Sequence, residues 1–279
     1  MTRFFLALTL IFAPLAAAAQ ERVLSIGGSL TEVVAALGQE ARLVGRDTTS
    51  TYPETITDLP DVGYMRQLSP EGVLSVAPDL ILLTDGAGPR ETLATLRSAG
   101  VKMVTVHEGH SPEAVTAKIR TVAQALGVAQ EGEVLVKRVA EDIAAAQRAA
   151  AQASGPKPRV LFLLSNAGGR LTGAGTDTAA QAMIALAGGE NALSGFAGYK
   201  ALTDEAIASA APDVLLVMDR GAAGPQTGAE YLRHPALAAT PAGQAGRVVQ
   251  MDGMFLLGFG PRTGQAIVAL HAALYPEPR

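Results

Sequence analysis

Residues 69–83 of this 279-residue chain recur, without a gap, as residues 203–217. Glu71 aligns with Glu205, and Ala77-Pro78-Asp79 aligns with Ala211-Pro212-Asp213. Both copies then run into four aliphatic residues, Leu80-Ile81-Leu82-Leu83 and Val214-Leu215-Leu216-Val217. Gly63-Tyr64 precedes the first copy and Gly198-Tyr199 the second, with one residue fewer between, and residues 33–38 have a counterpart in 183–188. A chain that resembles itself at such an interval builds two units on one plan. One continuous doubly wound domain with accidental similarity is the alternative.

The plan is α/β. Val23 to Ile26 reads as a short apolar strand, followed by Gly27-Gly28 and a helix capped by Ser29 or Thr31, with Glu32 early in its first turn. Residues 80–83 and 101–106 are further buried strands in the first half, and 160–164, 214–218 and 247–251 take those roles in the second. Alternating strands and helices imply parallel sheets covered on both faces. Between the halves, residues 131–152 are rich in Ala, Glu, Lys, Arg and Val. They predict one long helix, with a start as early as Ser111 and a break at Gly127, ended by Ser154-Gly155-Pro156-Lys157-Pro158. The expected architecture is two similar α/β lobes joined by one long α-helix, with a ligand cleft between the lobes. In residue terms it is a lobe over 20–127, a connecting helix over 128–154 and a lobe over 155–279.

Arg3 and the apolar run from Phe4 to Leu15, followed by Ala17-Ala18-Ala19, read as a secretory signal peptide over residues 1–19. The apolar run is too short for a membrane span. The chain has no cysteine, so it uses no disulfides and lacks the thiol of a lipoprotein N-terminus. A chain free in the periplasm is the expectation. The net charge of −4 and the lack of a Lys/Arg run argue against nucleic-acid or anionic-membrane partners.

Three stretches carry a family resemblance: residues 25–32, residues 59–69 around Gly63-Tyr64-Met65-Arg66-Gln67-Leu68, and residues 251–263. They resemble the haem-binding periplasmic proteins of bacterial haem ABC importers, a helix-backbone class shared with siderophore and vitamin B12 binding proteins. The resemblance implies capture of haem b as transported cargo and delivery to an inner-membrane ABC permease. It also implies an outer-membrane haem receptor system upstream, a monomer, and no enzymatic activity. It places Tyr64 as the axial ligand of ferric iron. Phenolate is a hard oxygen donor suited to Fe(III). A phenol ordinarily titrates near ~10 and needs a cation to favour its anion, and Arg66 lies two residues away. Read without the family, Tyr64 is more simply a loop tyrosine with a packed ring and a wet hydroxyl.

Haem propionates call for cations, and Arg66, Arg220 and Arg170 are the candidates, in that order. Met65, Tyr199, Met251, Met254, Phe255 and Phe259 are candidate cleft-lining residues, although core packing explains any one of the apolar ones. Tyr199, as repeat partner of Tyr64, is expected to face it. Some members of the family take a histidine from the second lobe near residues 165–170; none stands there, a departure from the resemblance that favours five-coordinate iron or a small sixth ligand. His107 and His110 lack a third metal ligand at readable spacing, and His234 and His271 read as structural. Related binding proteins dock through one surface glutamate per lobe, so the resemblance implies that Glu71 and Glu205, equivalent in the repeat, pair with permease arginines. Each also suits the first turn of a helix by itself. An exported enzyme is the rival from another class. The chain has no Gly-x-Ser-x-Gly elbow, no cysteine nucleophile and no complete dinucleotide fingerprint. A siderophore, a corrinoid or a bare metal ion on the same scaffold is the closer alternative. A single connecting helix predicts modest lobe motion.

Overall fold

The computed structural model describes residues 21–167, 170–219 and 228–276, so the leader expected over residues 1–19 lies outside the described residues. The first lobe runs β1 (Val23–Ile26), α1 (Gly28–Ala36), β2 (Leu43–Arg46), α2 (Pro70–Ser75), β3 (Leu80–Thr84), α3 (Arg90–Ser98), β4 (Lys102–Val106) and α4 (Pro112–Ala125). Its strands form a parallel sheet in the order β2-β1-β3-β4. Every residue of β1 and β3 is buried, the pattern of central strands covered on both faces.

The Gly27-Gly28 pair after β1 answers a steric demand. Gly27 has φ 119, and a Cβ there would lie 2.4 Å from Thr84 Cγ2; one on Gly28 would lie 2.4 Å from the Thr49 carbonyl oxygen. Gly27, rather than Ser29 or Thr31, is therefore the N-cap, and α1 starts too early for Glu32 to sit in its first turn. Both hydroxyls are buried elsewhere: Ser29 Oγ donates to Glu108, and Thr31 Oγ1 donates to Ser25 Oγ. Asp47, fully buried beyond β2, accepts from Gly27 N, Thr49 N, Thr49 Oγ1 and Ser50 Oγ, which supplies the partners that a buried carboxylate requires.

The long helix is α5 (Ala129–Ala150). Leu135, Val136, Val139, Ile143, Ala146 and Ala150 make its buried face, a helical periodicity that packs it between α4 and α12 (Thr263–Leu274). The chain does not run on from α4 into α5 with a kink. It reverses at residues 126–128, and α4 folds back so that Arg120 Nε reaches Glu133 Oε1 at 2.8 Å.

The second lobe runs β5 (Arg159–Ala167), β6 (Arg170–Ala174), α6 (Ala179–Leu186), β7 (Glu190–Asn191), β8 (Tyr199–Ala201), α7 (Asp204–Ala210), β9 (Val214–Asp219), α8 (Gly228–Tyr231), α9 (Pro235–Ala238), α10 (Pro241–Gln244), β10 (Val248–Asp252), α11 (Gly253–Leu257) and α12. Its sheet order is β10-β9-β5-β6-β8, with β7 beside β5. This sheet is mixed, not parallel. β6 runs antiparallel to both β5 and β8. The sequence signal was Gly168-Gly169 between two strand-like runs, a hairpin turn pair.

The duplication is physical. Ser69 Oγ caps α2 at Gly72 N (3.0 Å), and Thr203 Oγ1 caps α7 at Ala206 N (3.2 Å). Asp79 Oδ2 accepts from Arg22 N at 2.9 Å, and Asp213 Oδ2 from Arg159 N at 2.8 Å. Ala77 and Ala211 hold left-handed φ values of 43 and 40, and Gly63 and Gly198 values of 98 and 78. Alanine tolerates that region only at a cost, so its recurrence at aligned positions marks one inherited backbone path. Among the described residues no helix is long and apolar enough to cross a membrane.

Candidate functional site

Parallel strands deliver their carboxyl ends, and the loops after them, to one edge of a sheet, where α/β folds place ligands. The loop carrying Tyr64 is stitched across that edge in the first lobe. Thr48 N donates to Gly63 O at 3.1 Å, Gly88 N to Met65 O at 2.9 Å, and Leu68 N to Gly88 O at 3.0 Å. Met65 and Leu68 are thereby buried in the apolar cluster below β1 and β3, while Tyr64 packs on that cluster and keeps a partly exposed ring. Met65, expected to line the cleft, is a core residue, 6% exposed, because every third residue of this loop, Val62, Met65 and Leu68, turns inward.

Arg66 is exposed and its Nη1 donates to the Tyr64 hydroxyl oxygen, with Cζ 5.7 Å from the ring centroid. The same guanidinium acts electrostatically on Tyr199 of the opposite lobe. Tyr199 lies on β8, 40% exposed, with its ring edge-on to Phe162 at 6.5 Å. Burial raises its phenol above the usual range, against the opposing pull of the Ala180 N–H, Arg66 and the Thr178 hydroxyl. The repeat places Ala201 where an arginine would accompany Tyr199.

The remaining candidates separate. Met251 ends β10, and Met254 and Phe255 lie on α11; all are partly buried. Met254 Cε reaches across to Gly28, where a Cβ would come within 2.9 Å. Phe255 lies 5.0 Å from the Arg262 guanidinium. Phe259 is only 2% exposed, its ring 5.3 Å from that of His110, so it is a junction residue rather than an open wall. Arg170 is exposed at the start of β6, and Arg220 lies outside the described residues. Glu71 and Glu205 are both exposed in the first turns of the equivalent helices α2 and α7. His107 Nδ1 pairs with Asp85 at 2.5 Å, and His271 Nδ1 with Ala187 O at 2.9 Å. Among the described residues no cluster of His, Asp and Glu is arranged to hold a metal ion.

The model of the periplasmic binding protein family matches residues 23–254. The chain belongs to that family. Its members are binding proteins and not enzymes. Among solved structures, this periplasmic binding protein is similar to the periplasmic heme-binding protein RhuT from Roseiflexus sp. RS-1 in apo form. The two share 44% identity over 92% of this chain and 98% of that one, with a TM-score of 0.88. It is similar also to the periplasmic heme-binding protein BhuT in complex with two hemes, at 48% identity over 91% of this chain and 97% of that one, TM-score 0.86. An uncharacterized ABC transporter substrate-binding lipoprotein, YvrC of Bacillus subtilis, is 27% identical over 92% of this chain and 81% of its own length.

Three residues of this periplasmic binding protein carry structure that residue-by-residue reading passed over. Lys118 falls in the apolar series Val115, Lys118, Ile119, Val122 on α4, and a lysine at a core-facing position is itself a signal. Arg262 and Tyr52 stack at 3.7 Å, a contact between segments far apart in sequence that no local pattern announces.

Proposed function

We propose that this periplasmic binding protein captures ferric haem b in the cleft between its lobes and hands it to an inner-membrane ABC permease, with Tyr64 as the iron ligand. The observation that carries the reading is the hydrogen bond from exposed Arg66 to the partly exposed Tyr64 at the carboxyl edge of the first lobe's sheet. An oxygen donor already engaged by a fixed cation suits a hard ferric ion. The similarity to RhuT and BhuT along more than nine-tenths of the chain supports haem as the cargo. Export to the periplasm, through the leader expected at residues 1–19, belongs to the same reading.

Tyr199 is the poorer donor of the two. Burial holds its phenol toward the neutral form, which favours ligation from the first lobe alone. Arg66 acts on both phenols and supplies charge for a propionate. Arg170 and Arg220 are secondary propionate candidates, and Met251, Met254 and Phe255 offer apolar surface to the macrocycle.

Titrating the ligand-free protein with hemin tests the proposal. A high-spin ferric spectrum with phenolate charge-transfer bands is expected, and the end point counts haems per chain. A Soret band identical to free hemin rejects the reading, and tighter binding of a cobalamin would replace haem by a corrinoid. Arg66→Ala should weaken hemin binding by about 10–100-fold, as loss of a ligand's hydrogen-bond partner does at other metal sites. Unchanged affinity would remove Arg66 from the site.

Permease docking through Glu71 and Glu205 is proposed from their equivalent, exposed placement on the two lobes. Glu71→Ala and Glu205→Ala should each reduce haem uptake by reconstituted transporter, and the double variant should reduce it further, while hemin affinity of the isolated protein stays constant. Full uptake by the double variant excludes this docking mode.

A further inference from the structure

The two tyrosine loops are copies in sequence, yet they join their sheets one residue out of step. In the first lobe the chain before Tyr64 runs parallel to the end of β2. Arg46 N donates to Pro60 O and Val62 N to Arg46 O, both at 2.9 Å, so that Arg46 pairs with Asp61. In the second lobe Thr176, just past β6, pairs with Ala197. Thr176 N donates to Phe196 O and Gly198 N to Thr176 O, both at 2.8 Å. The paired residue thus stands three places before Tyr64 but two before Tyr199. A slip of one residue turns side chains toward the opposite face of a strand.

The slip leaves Gly63 N outside the ladder, whereas Gly198 N lies inside it. Asp61 takes up the loose donor. Its Oδ1 accepts from Gly63 N at 2.8 Å, the aspartate bond to its own backbone two residues on, and its Oδ2 accepts from Arg46 Nη1 at 3.1 Å. Arg46 also donates to the carbonyls of Asp47 and Thr57, at 3.3 and 3.4 Å, so the cation that grips Asp61 is itself rooted. Gly63 holds φ 98, and a Cβ there would meet nothing within 4 Å. No packing fixes such a residue, and glycine has the most conformational freedom to lose. Its hydrogen bonds alone set its direction: the N–H to Asp61, and the carbonyl to Thr48 N at 3.1 Å. In the second copy Phe196 occupies the place of Asp61, and its side chain has no acceptor.

We propose that Asp61 is a positioning residue for the iron ligand. By fixing the Gly63 peptide it sets the direction in which the Tyr64 phenol leaves the loop and keeps that phenol within reach of Arg66. Together with Arg66 it makes the first lobe's tyrosine, and not its repeat partner, the donor. Tyr64 as iron ligand rests on the proposed function; the fixing of Tyr64 by Asp61 does not.

Asp61→Ala and Asp61→Asn make the test. Asparagine keeps an oxygen for Gly63 N and gives up the charge, and alanine gives up both. With the tyrosines carbon-13 labelled at Cζ, and Tyr64→Phe used to assign the signal, Tyr64 in ligand-free Asp61→Ala should shift and broaden while the other tyrosines stay. Asp61→Asn should restore it. Hemin affinity should fall by about 10-fold in Asp61→Ala, the low end of what loss of an outer partner of a metal ligand costs, with altered phenolate charge-transfer bands. In Asp61→Asn it should stay near that of the unaltered protein. An Asp61→Ala protein that is less heat-stable, but has an unchanged Tyr64 signal and unchanged bands, overturns the proposal, since that is a residue that only stabilises. So does an Asp61→Asn protein as impaired as Asp61→Ala, because the charge and not the acceptor would then act. If the unaltered protein takes up no hemin, Tyr64 is rejected as the ligand, and the ligand-free tyrosine signals still decide the role of Asp61.

Discussion

Tyr64→Ala is expected to weaken hemin binding by more than ~100-fold and to erase the phenolate charge-transfer bands, because loss of even an outer partner of a metal ligand costs about 10–100-fold. The ring lies on the apolar cluster of the first lobe but is only partly buried, so its removal should leave the fold intact. The loop around it is held by backbone hydrogen bonds that do not use the side chain. Tyr199→Phe is the matched control. It removes the other cleft phenol, which burial keeps toward its neutral form, and should change affinity little. Optical titration of both variants separates the lobes. Equal losses from both would mean that the iron bridges them, and no loss from Tyr64→Ala would end the assignment.

Arg262→Met should destabilise the protein by about 3–5 kcal/mol, the usual consequence of removing one member of a buried ion pair. The Glu32 carboxylate it leaves behind is 6% exposed, and among the described residues no other guanidinium or hydroxyl replaces the fork. Burial already holds the Glu32 pKa above the usual carboxylate value, against the opposing pull of Arg262 and Lys118. A carboxyl raised in the folded state contributes stability when protonated. That contribution is complete below the ordinary carboxylate pKa and is lost as pH rises through the folded one. Taking Arg262 away raises the folded value further. The deficit measured by urea unfolding should therefore be larger at about pH 8 than at about pH 5. A deficit independent of pH, or one under about 1 kcal/mol, would show that Glu32 finds water when Arg262 is gone.

The plan of two lobes was legible because it is written in local chemistry. A capping hydroxyl, a Pro-Asp pair and four aliphatic residues appear twice, and each feature acts on its immediate neighbours in the chain. The burial of β1 and β3 and the apolar stripe of α5 followed from periodicity for the same reason. The resemblance singled out Tyr64 and Arg66, and the tertiary structure brings them into hydrogen-bond contact.

What escaped was decided at a distance. The antiparallel β5–β6 hairpin and edge strand β8 make the second sheet mixed, and Gly168-Gly169 was too slight a sign beside the strong parallel pattern of the first half. Met65 and Phe259 were read as cleft residues by their apolar character, but a side chain's direction depends on which loop holds its backbone. Glu32 is an ordinary helix charge in the sequence and Lys118 a lone charge in an apolar series, and only the approach of residues 258–262 gives Glu32 its guanidinium and Lys118 its two carbonyl acceptors. Sequence by itself determined the repeated elements and which faces they bury, since both depend on neighbours within a few residues. Where the two halves meet, and which charges are sealed between them, depends on contacts between residues as far apart as Glu32 and Arg262, and those exist only once the chain has folded.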